Sequence, residues 1–254
     1  MHILMYHQVS EESQVDIMGV SKSNFREQLS WIKDHGYRVI TLSSLNRSES
    51  AGLSFPGGKT IAITFDDGYL DTYTTAWPIL QDFGFTATVF LVSGWVGKTS
   101  GWREDRYAST PLMNWRQAQE LYAGNIQIGS HSVTHPWLAK INAEKVAEEI
   151  LDSRKQIEDR VGVEVYNFSY PYSSTHPEAR RILKDGGYLC ACTHRDHYVG
   201  SAGVDPYSLQ RIGILARDNL ADFAEKVRPS LHRRLRWMRV WFVKYSRNKS
   251  DSRL

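Results

Sequence analysis

The sequence carries only two cysteines in 254 residues, and it has no internal repeat, no low-complexity segment and no Pro/Gly/Ser-rich linker. No apolar run approaches the roughly 18 residues of a membrane span, so no segment reads as a transmembrane helix. Without a linker, the 29.1 kDa chain reads as one main domain. The opening Met1-His2-Ile3-Leu4-Met5-Tyr6-His7 lacks the basic start, long apolar core and small-residue cleavage site of a secretory signal. A cytoplasmic protein is therefore expected. Cys190 and Cys192 read as reduced, buried thiols on opposite sides of one strand, which leaves no bridge between them. Acids are nearly absent from residues 226–254, where Asp251 stands alone against ten Lys/Arg. The small overall charge of +3 thus hides a strongly basic tail on an acidic body, and nothing points the body toward nucleic acid. The expected division is a domain over residues 1–227 and a tail over residues 228–254.

What the sequence does have is a regular alternation of short apolar runs and amphipathic segments. Residues 2–7 read as a strand, Ser21 to Asn24 as capping residues for a helix from Phe25 to Asp34, and Gly36 as its stop. Strands are expected at Tyr37–Thr41, from Thr60 to the Asp pair, and at Thr86–Val92. A helix from Asp71 to Phe83 lies between the last two and stops at Gly84. Residues 93–113 read as a long functional loop. A helix at Trp115–Tyr122, a strand at 126–129 and the strongest helical signal, residues 143–161, follow. Beyond Gly162 come a strand at Val163–Phe168, a helix at Pro177–Lys184, strands at Tyr188–Cys192 and Ser208–Leu215, and a helix at Asn219–Val227. Such alternation predicts an α/β fold with a parallel sheet closed as a barrel.

Two motifs carry chemistry. Thr64-Phe65-Asp66-Asp67-Gly68-Tyr69 places adjacent carboxylates at a strand end, and Gly68 permits a turn that lets the pair divide its labour. His131-Ser132-Val133-Thr134-His135 follows another apolar run, and Pro136 disfavours a helix at His135, so the two imidazoles are placed on a loop. One acid and two histidines suffice for a metal site with open positions.

Together with Tyr170-Pro171-Tyr172, these stretches resemble the first three motifs of the polysaccharide deacetylase family, the NodB-homology or carbohydrate esterase 4 group. The resemblance covers residues 2–227, and Leu4-Met5-Tyr6-His7 is similar to the opening of the branch that deacetylates poly-N-acetylglucosamine. It implies a distorted (β/α) barrel, circularly permuted, with the basic tail outside it. It further implies that Asp67, His131 and His135 hold a divalent metal, commonly Zn2+ with Co2+ or Ni2+ as alternatives, while Asp66 stays free as general base. The backbone N–H at Tyr172 is implied as an oxyanion donor, and His7 as the acid that protonates the leaving amine. Two positions depart from the pattern: Ser169 stands where many members have an arginine that orients the base, and Ser173 where glycine is usual. Arg211, in Gln210-Arg211-Ile212, is the candidate to supply the missing charge. Trp95, Trp102, Trp115, Trp137 and Tyr172 are candidates for stacking on sugar faces.

The expected activity is removal of the N-acetyl group from an amino sugar, either in a polymer or in a lipid-linked or nucleotide-linked precursor of a cell-surface glycan. Hydrolysis of another amide, a silent glycan-binding member and an iron oxygenase are the alternatives. The free acid Asp66 argues against the oxygenase, and retention of every ligand argues against the silent member. From Pro229 to Tyr245, Leu231, Leu235, Met238, Trp241, Phe242 and Tyr245 share one helical face opposite Arg233, Arg236, Arg239, Lys244 and Arg247. That is the pattern of an interfacial helix on anionic lipid, or of a basic C-terminal helix docked on the barrel.

Overall fold

The computed structural model describes residues 1–11, 17–48, 52–54, 59–103, 109–194 and 205–228. Strand β1 (His2–Tyr6) runs through His7 into β2 (Gln8–Ser10), which pairs in parallel with β3 (Gly19–Ser21). Helix α1 (Lys22–Asp34) starts where the Ser21 side chain accepts the Asn24 N–H, and it buries Phe25, Leu29 and Ile32 on one stripe. β4 (Arg38–Ile40) and the antiparallel hairpin of β5 (Asn46–Ser48) and β6 (Gly52–Ser54) lead to β7 (Thr60–Phe65), which is buried along its whole length. Next come α2 (Trp77–Phe83), β8 (Thr88–Leu91), α3 (Trp115–Ala123), β9 (Gln127–Ser130) and α4 (Ala143–Val161). The series ends with β10 (Asn167–Ser169), α5 (Ala179–Asp185), β11 (Cys190–His194), β12 (Leu209–Gly213) and α6 (Leu220–Val227).

Seven of these strands close a parallel ring in the order β1, β12, β11, β10, β9, β8, β7, with β7 returning to β1. β4 also pairs with β7, at Thr60–Ala62, whereas β8 pairs higher up, at Thr64–Phe65. β7 therefore changes partner halfway along, which distorts the barrel. Inside the ring, alternate side chains of separate strands meet: Ile3, Ala62, Phe90, Cys190, Cys192 and Leu209 form one buried cluster. Each large member of such a cluster contributes on the order of 1.5–3 kcal/mol. The two thiols are free and buried, but they share one face, which corrects the expectation of opposite sides. Residues two apart in a strand point the same way.

Other differences are local. The expected strand Val163–Phe168 shrinks to Asn167–Ser169, because the Val165 N–H is taken by Glu158 and not by a neighbouring strand. The helix after the Asp pair opens with a π segment, Thr72–Ala76, a wider turn that often accompanies functional sites. β2, β3 and the β5–β6 hairpin carry no periodicity that announces them.

The chain divides into two units, residues 1–217 and 218–254. In the second, α6 is capped by Asn219, whose side chain accepts from Ala221 and Asp222, and Lys226 pairs with Asp218. The expected amphipathic helix from Pro229 to Tyr245 lies outside the described residues. Among those described, no helix is long and apolar enough to cross a membrane.

Candidate active site

All the motif residues singled out above sit at the carboxyl end of the ring. Inward positions alternate along β7 from Ala62 through Thr64 to Asp66, so Asp66 points into the barrel. Asp67 would then point away, but it takes a left-handed φ of 72° and Gly68 follows at 75°, and the turn brings the second carboxylate to the same mouth. The φ of Gly68 strains any other residue, and a Cβ there would also lie 2.8 Å from Leu91 Cδ2 and push that side chain aside.

His131 leaves β9 with its Nδ1 2.7 Å from the Ser169 carbonyl, which fixes the ring and turns Nε2 toward the cleft. His135 also has a left-handed φ, 64°, and its N–H is held by Ser132 Oγ at 3.0 Å. Both Nε2 atoms face one oxygen, Asp67 Oδ1, at 3.3 Å. The three ligand atoms lie within 4.8 Å of one another and all three residues are buried. Asp67 Oδ1 is itself buried without a hydrogen-bond donor. An orphaned carboxylate oxygen flanked by two imidazole nitrogens is a donor set that fits a divalent metal cation.

Asp66 is held differently. Arg211, 1% exposed, reaches it side-on: Nη1 donates to Oδ1 and Nη2 to Oδ2, each at 2.6 Å. The same guanidinium donates to Thr64 Oγ1 and to Ser169 Oγ, and Ser169 Oγ donates on to Asp66 Oδ2 at 3.2 Å. Ser169 thus closes a ring of hydrogen bonds at the position where an arginine was looked for, with the arginine arriving from β12. Burial works to raise the Asp66 pKa, but the Arg211 charge, then that of His131, bring it to about 2. Burial likewise opposes ionisation of Asp67, yet the approach of His131 and His135 holds it well below the usual carboxylate range. For His131, burial is outweighed by the facing carboxylates, Asp66 first, and its pKa rises. Burial prevails at His135 and His7, whose pKa values fall.

These residues open on a cleft of about 1110 Å3 that His7, Tyr172 and Arg211 also line. Tyr172 adopts a left-handed φ of 53° and lies flat on Trp137, with ring centroids 4.3 Å apart; both are nearly half exposed. Trp102 stacks on His135 at 4.9 Å. Of the five aromatic candidates, Trp102, Trp137 and Tyr172 line the cleft, whereas Trp95 and Trp115 do not.

Sequence reasoning missed Met5, Met18, Arg103 and His194 on the cleft wall. For His194 a signal existed: Cys190 and Cys192 face inward, so the next alternate position does too. Its ring lies over Gly213, where a Cβ would stand 2.7 Å from His194 Cε1.

The polysaccharide deacetylase family model matches residues 55–191. Among curated proteins, YxkH of Bacillus subtilis (strain 168) is 28% identical over 214 residues, covering 84% of this chain and 70% of that protein. The poly-beta-1,6-N-acetyl-D-glucosamine N-deacetylase of Escherichia coli (strain K12) is 23% identical, covering 88% of this chain but only 38% of the enzyme. Among solved structures, the Streptococcus pyogenes deacetylase PplD in complex with acetate has a TM-score of 0.75 at 24% identity, covering 90% of this chain and 98% of that one. IcaB from Ammonifex degensii gives 0.73 at 23% identity, covering 89% and 96%. At these identities the structures establish a shared barrel. The family match, which takes in more than half of the sequence and contains the Asp pair and both histidines, shows that this chain belongs to the polysaccharide deacetylase family.

Proposed function

We propose that the chain is a divalent-metal-dependent hydrolase that removes the N-acetyl group from an amino sugar within a glycan. One observation carries the reading: three converging ligand atoms on Asp67, His131 and His135 stand beside a second carboxylate, Asp66, which is not among them and is gripped side-on by Arg211. The oxygenase alternative has no use for that second acid. Zinc suits the one-carboxylate, two-imidazole donor set, with Co2+ and Ni2+ as substitutes.

Bound by these three residues, the cation would supply Lewis acidity for the acetyl carbonyl and for the attacking water. Asp66 is the general base in this reading. With a pKa of about 2 it is ionised at every working pH but is a weak proton acceptor, so it serves by position, taking the proton as the water attacks. Arg211 and Ser169 aim its oxygens. The backbone N–H at Tyr172 is assigned to the developing oxyanion. His7, at the mouth of the barrel beyond β1, is assigned the proton that the leaving amine needs. Both His7 and Arg211 lie outside the stretch matched by the family model, and their place in the cleft supports the two assignments.

A glycan is the substrate class in keeping with the relatives. The named substrate of the Escherichia coli enzyme is one arm of the test, because this chain spans little more than a third of that protein. Lipid-linked and nucleotide-linked amino sugars are the others. We take residues 1–227 as the catalytic domain and 228–254 as a basic tail that contacts anionic membrane, with packing on the barrel as the alternative. Liposome flotation of the full chain against one ending at Val227 tests that part, and equal partitioning would refute it.

The central test is metal content by mass spectrometry for wild type and Asp66→Ala, paired with acetate release from N-acetylglucosamine oligomers and linked precursors. One metal in each protein, with acetate from wild type alone, is expected. Failure of reconstituted wild type to bind any divalent metal would remove the mechanism.

A further inference from the structure

The loop between the two histidines has a clamp that the reaction above does not use. Ser132 and His135 both have left-handed φ values, 68° and 64°, in residues that adopt them at a cost. A loop so bent holds its shape only where its backbone groups are tied down. On one side, Ser93 N–H donates to the Ser132 carbonyl at 3.1 Å and Gly94 N–H to the Val133 carbonyl at 3.0 Å. On the other side, a single carboxylate takes the remaining amides. Glu149 Oε2 accepts from Val133 N–H and Thr134 N–H, both at 2.8 Å, and Oε1 accepts from Thr134 Oγ1 at 2.6 Å.

Glu149 belongs to α4, whose stripe Val146, Ile150, Ser153 and Ile157 is buried. Ser153 Oγ also meets Ser130 Oγ of β9 at 2.5 Å, one residue before His131. The helix is thus pinned to the strand that delivers the first histidine, and one turn earlier its Glu149 grips the two residues before the second. We propose that Glu149 is a positioning residue for the metal site. It fixes the approach of His135 to Asp67 by holding the loop from outside, without touching ligand or substrate. The proposal rests on the reading of Asp67, His131 and His135 as metal ligands.

The test uses full-length wild type, Glu149→Leu, Glu149→Asp and Glu149→Gln, stripped with chelator, titrated with Zn2+ against a chromophoric competitor, and melted as apoproteins. Gln keeps a carbonyl oxygen for both amides and an NH2 for the threonine hydroxyl, so its affinity is expected within about threefold of wild type. Leu has no acceptor and Asp is one methylene too short, so each is expected to bind Zn2+ on the order of 10–100-fold more weakly. Both apoproteins should still melt cooperatively, and acetate release lost at limiting Zn2+ should return with excess. Wild-type affinity in Asp or Leu, or a Gln variant as weak as Leu, would overturn the assignment. Should Leu fail to fold, the Asp and Gln pair decides. Absence of Zn2+ binding by wild type itself would instead sink the metal reading and this assignment with it.

Discussion

Arg211 and Asp66 face each other across the barrel interior as a side-on pair with two 2.6 Å hydrogen bonds, although their strands, β12 and β7, are separated by β1. Removing the cation leaves a buried carboxylate unpaired, which typically costs about 3–5 kcal/mol. Arg211→Ala is expected to lose that order of stability and to slow turnover about 100-fold, because the base is no longer aimed. Arg211→Lys should keep part of the stability but little of the rate, since a point charge does not reproduce the fork. Urea melts and kcat measure the two effects, and an alanine variant with wild-type turnover and pH profile would remove the role.

The same pair sets an acid limit. The Asp66 pKa is about 2, below its ordinary value of 3.8, so its contribution is complete above about pH 4 and is lost as pH falls through about 2. That shift corresponds to about 2 kcal/mol. Stability between pH 5 and pH 2 should therefore fall more steeply in wild type than in an Asp66→Asn, Arg211→Met double variant. Parallel curves would contradict it.

Asp66→Asn and Asp67→Asn should fail in opposite ways, although the residues are adjacent. The first is expected to keep a full complement of metal and lose activity about 1000-fold, whereas the second should lose the metal. Added Zn2+ at about 100 times its Kd should stabilise wild type and Asp66→Asn by about 2.7 kcal/mol, and Asp67→Asn by much less. Thermal melts with and without Zn2+ read this directly.

His7→Gln is expected to lower kcat on an N-acetylated sugar about 100-fold with KM little changed. On 4-nitrophenyl acetate, whose leaving group departs without a proton, the loss should be small. Equal losses on both substrates would exclude His7 as the acid.

Asp71 gives a pH effect away from the chemistry. Burial raises its pKa to about 7 against the pull of the Val9 and Thr72 backbone N–H groups, and its Oδ1 is buried without a partner. A raised carboxyl pKa means stability that is fully present below about pH 4 and lost as pH rises through about 7. Asp71→Asn should match wild type below about pH 4 and exceed it by about 4 kcal/mol at pH 8.5. A Tm difference that does not change with pH would show that Asp71 does not titrate as described.

Much of this site was legible because its determinants are local. The Asp pair and His131 directly follow apolar runs that had to be strands, and Gly68, Gly84 and Gly162 all take the left-handed φ that their sites demand. Helix α4 begins and ends at the residues its periodicity marks, Ala143 and Val161. Less legible was the Val163–Phe168 run, which keeps only its last residues as strand because Glu158 takes the Val165 N–H, whereas the i, i+2 spacing of Cys190 and Cys192 does place both thiols on one face.

By itself the sequence determined which residue types stand at which strand ends, and so a barrel with two carboxylates and two imidazoles at its mouth. Tertiary structure alone decided their partners. The ion pair joins residues 145 positions apart, and it exists only because ring closure sets β12 and β7 on either side of β1. The left-handed turn at Asp67, the hold of Glu149 on the histidine loop and the arrival of His194 over Gly213 are likewise products of closure. Local pattern fixes which way a chain segment faces, whereas what it meets there depends on where every other segment has gone.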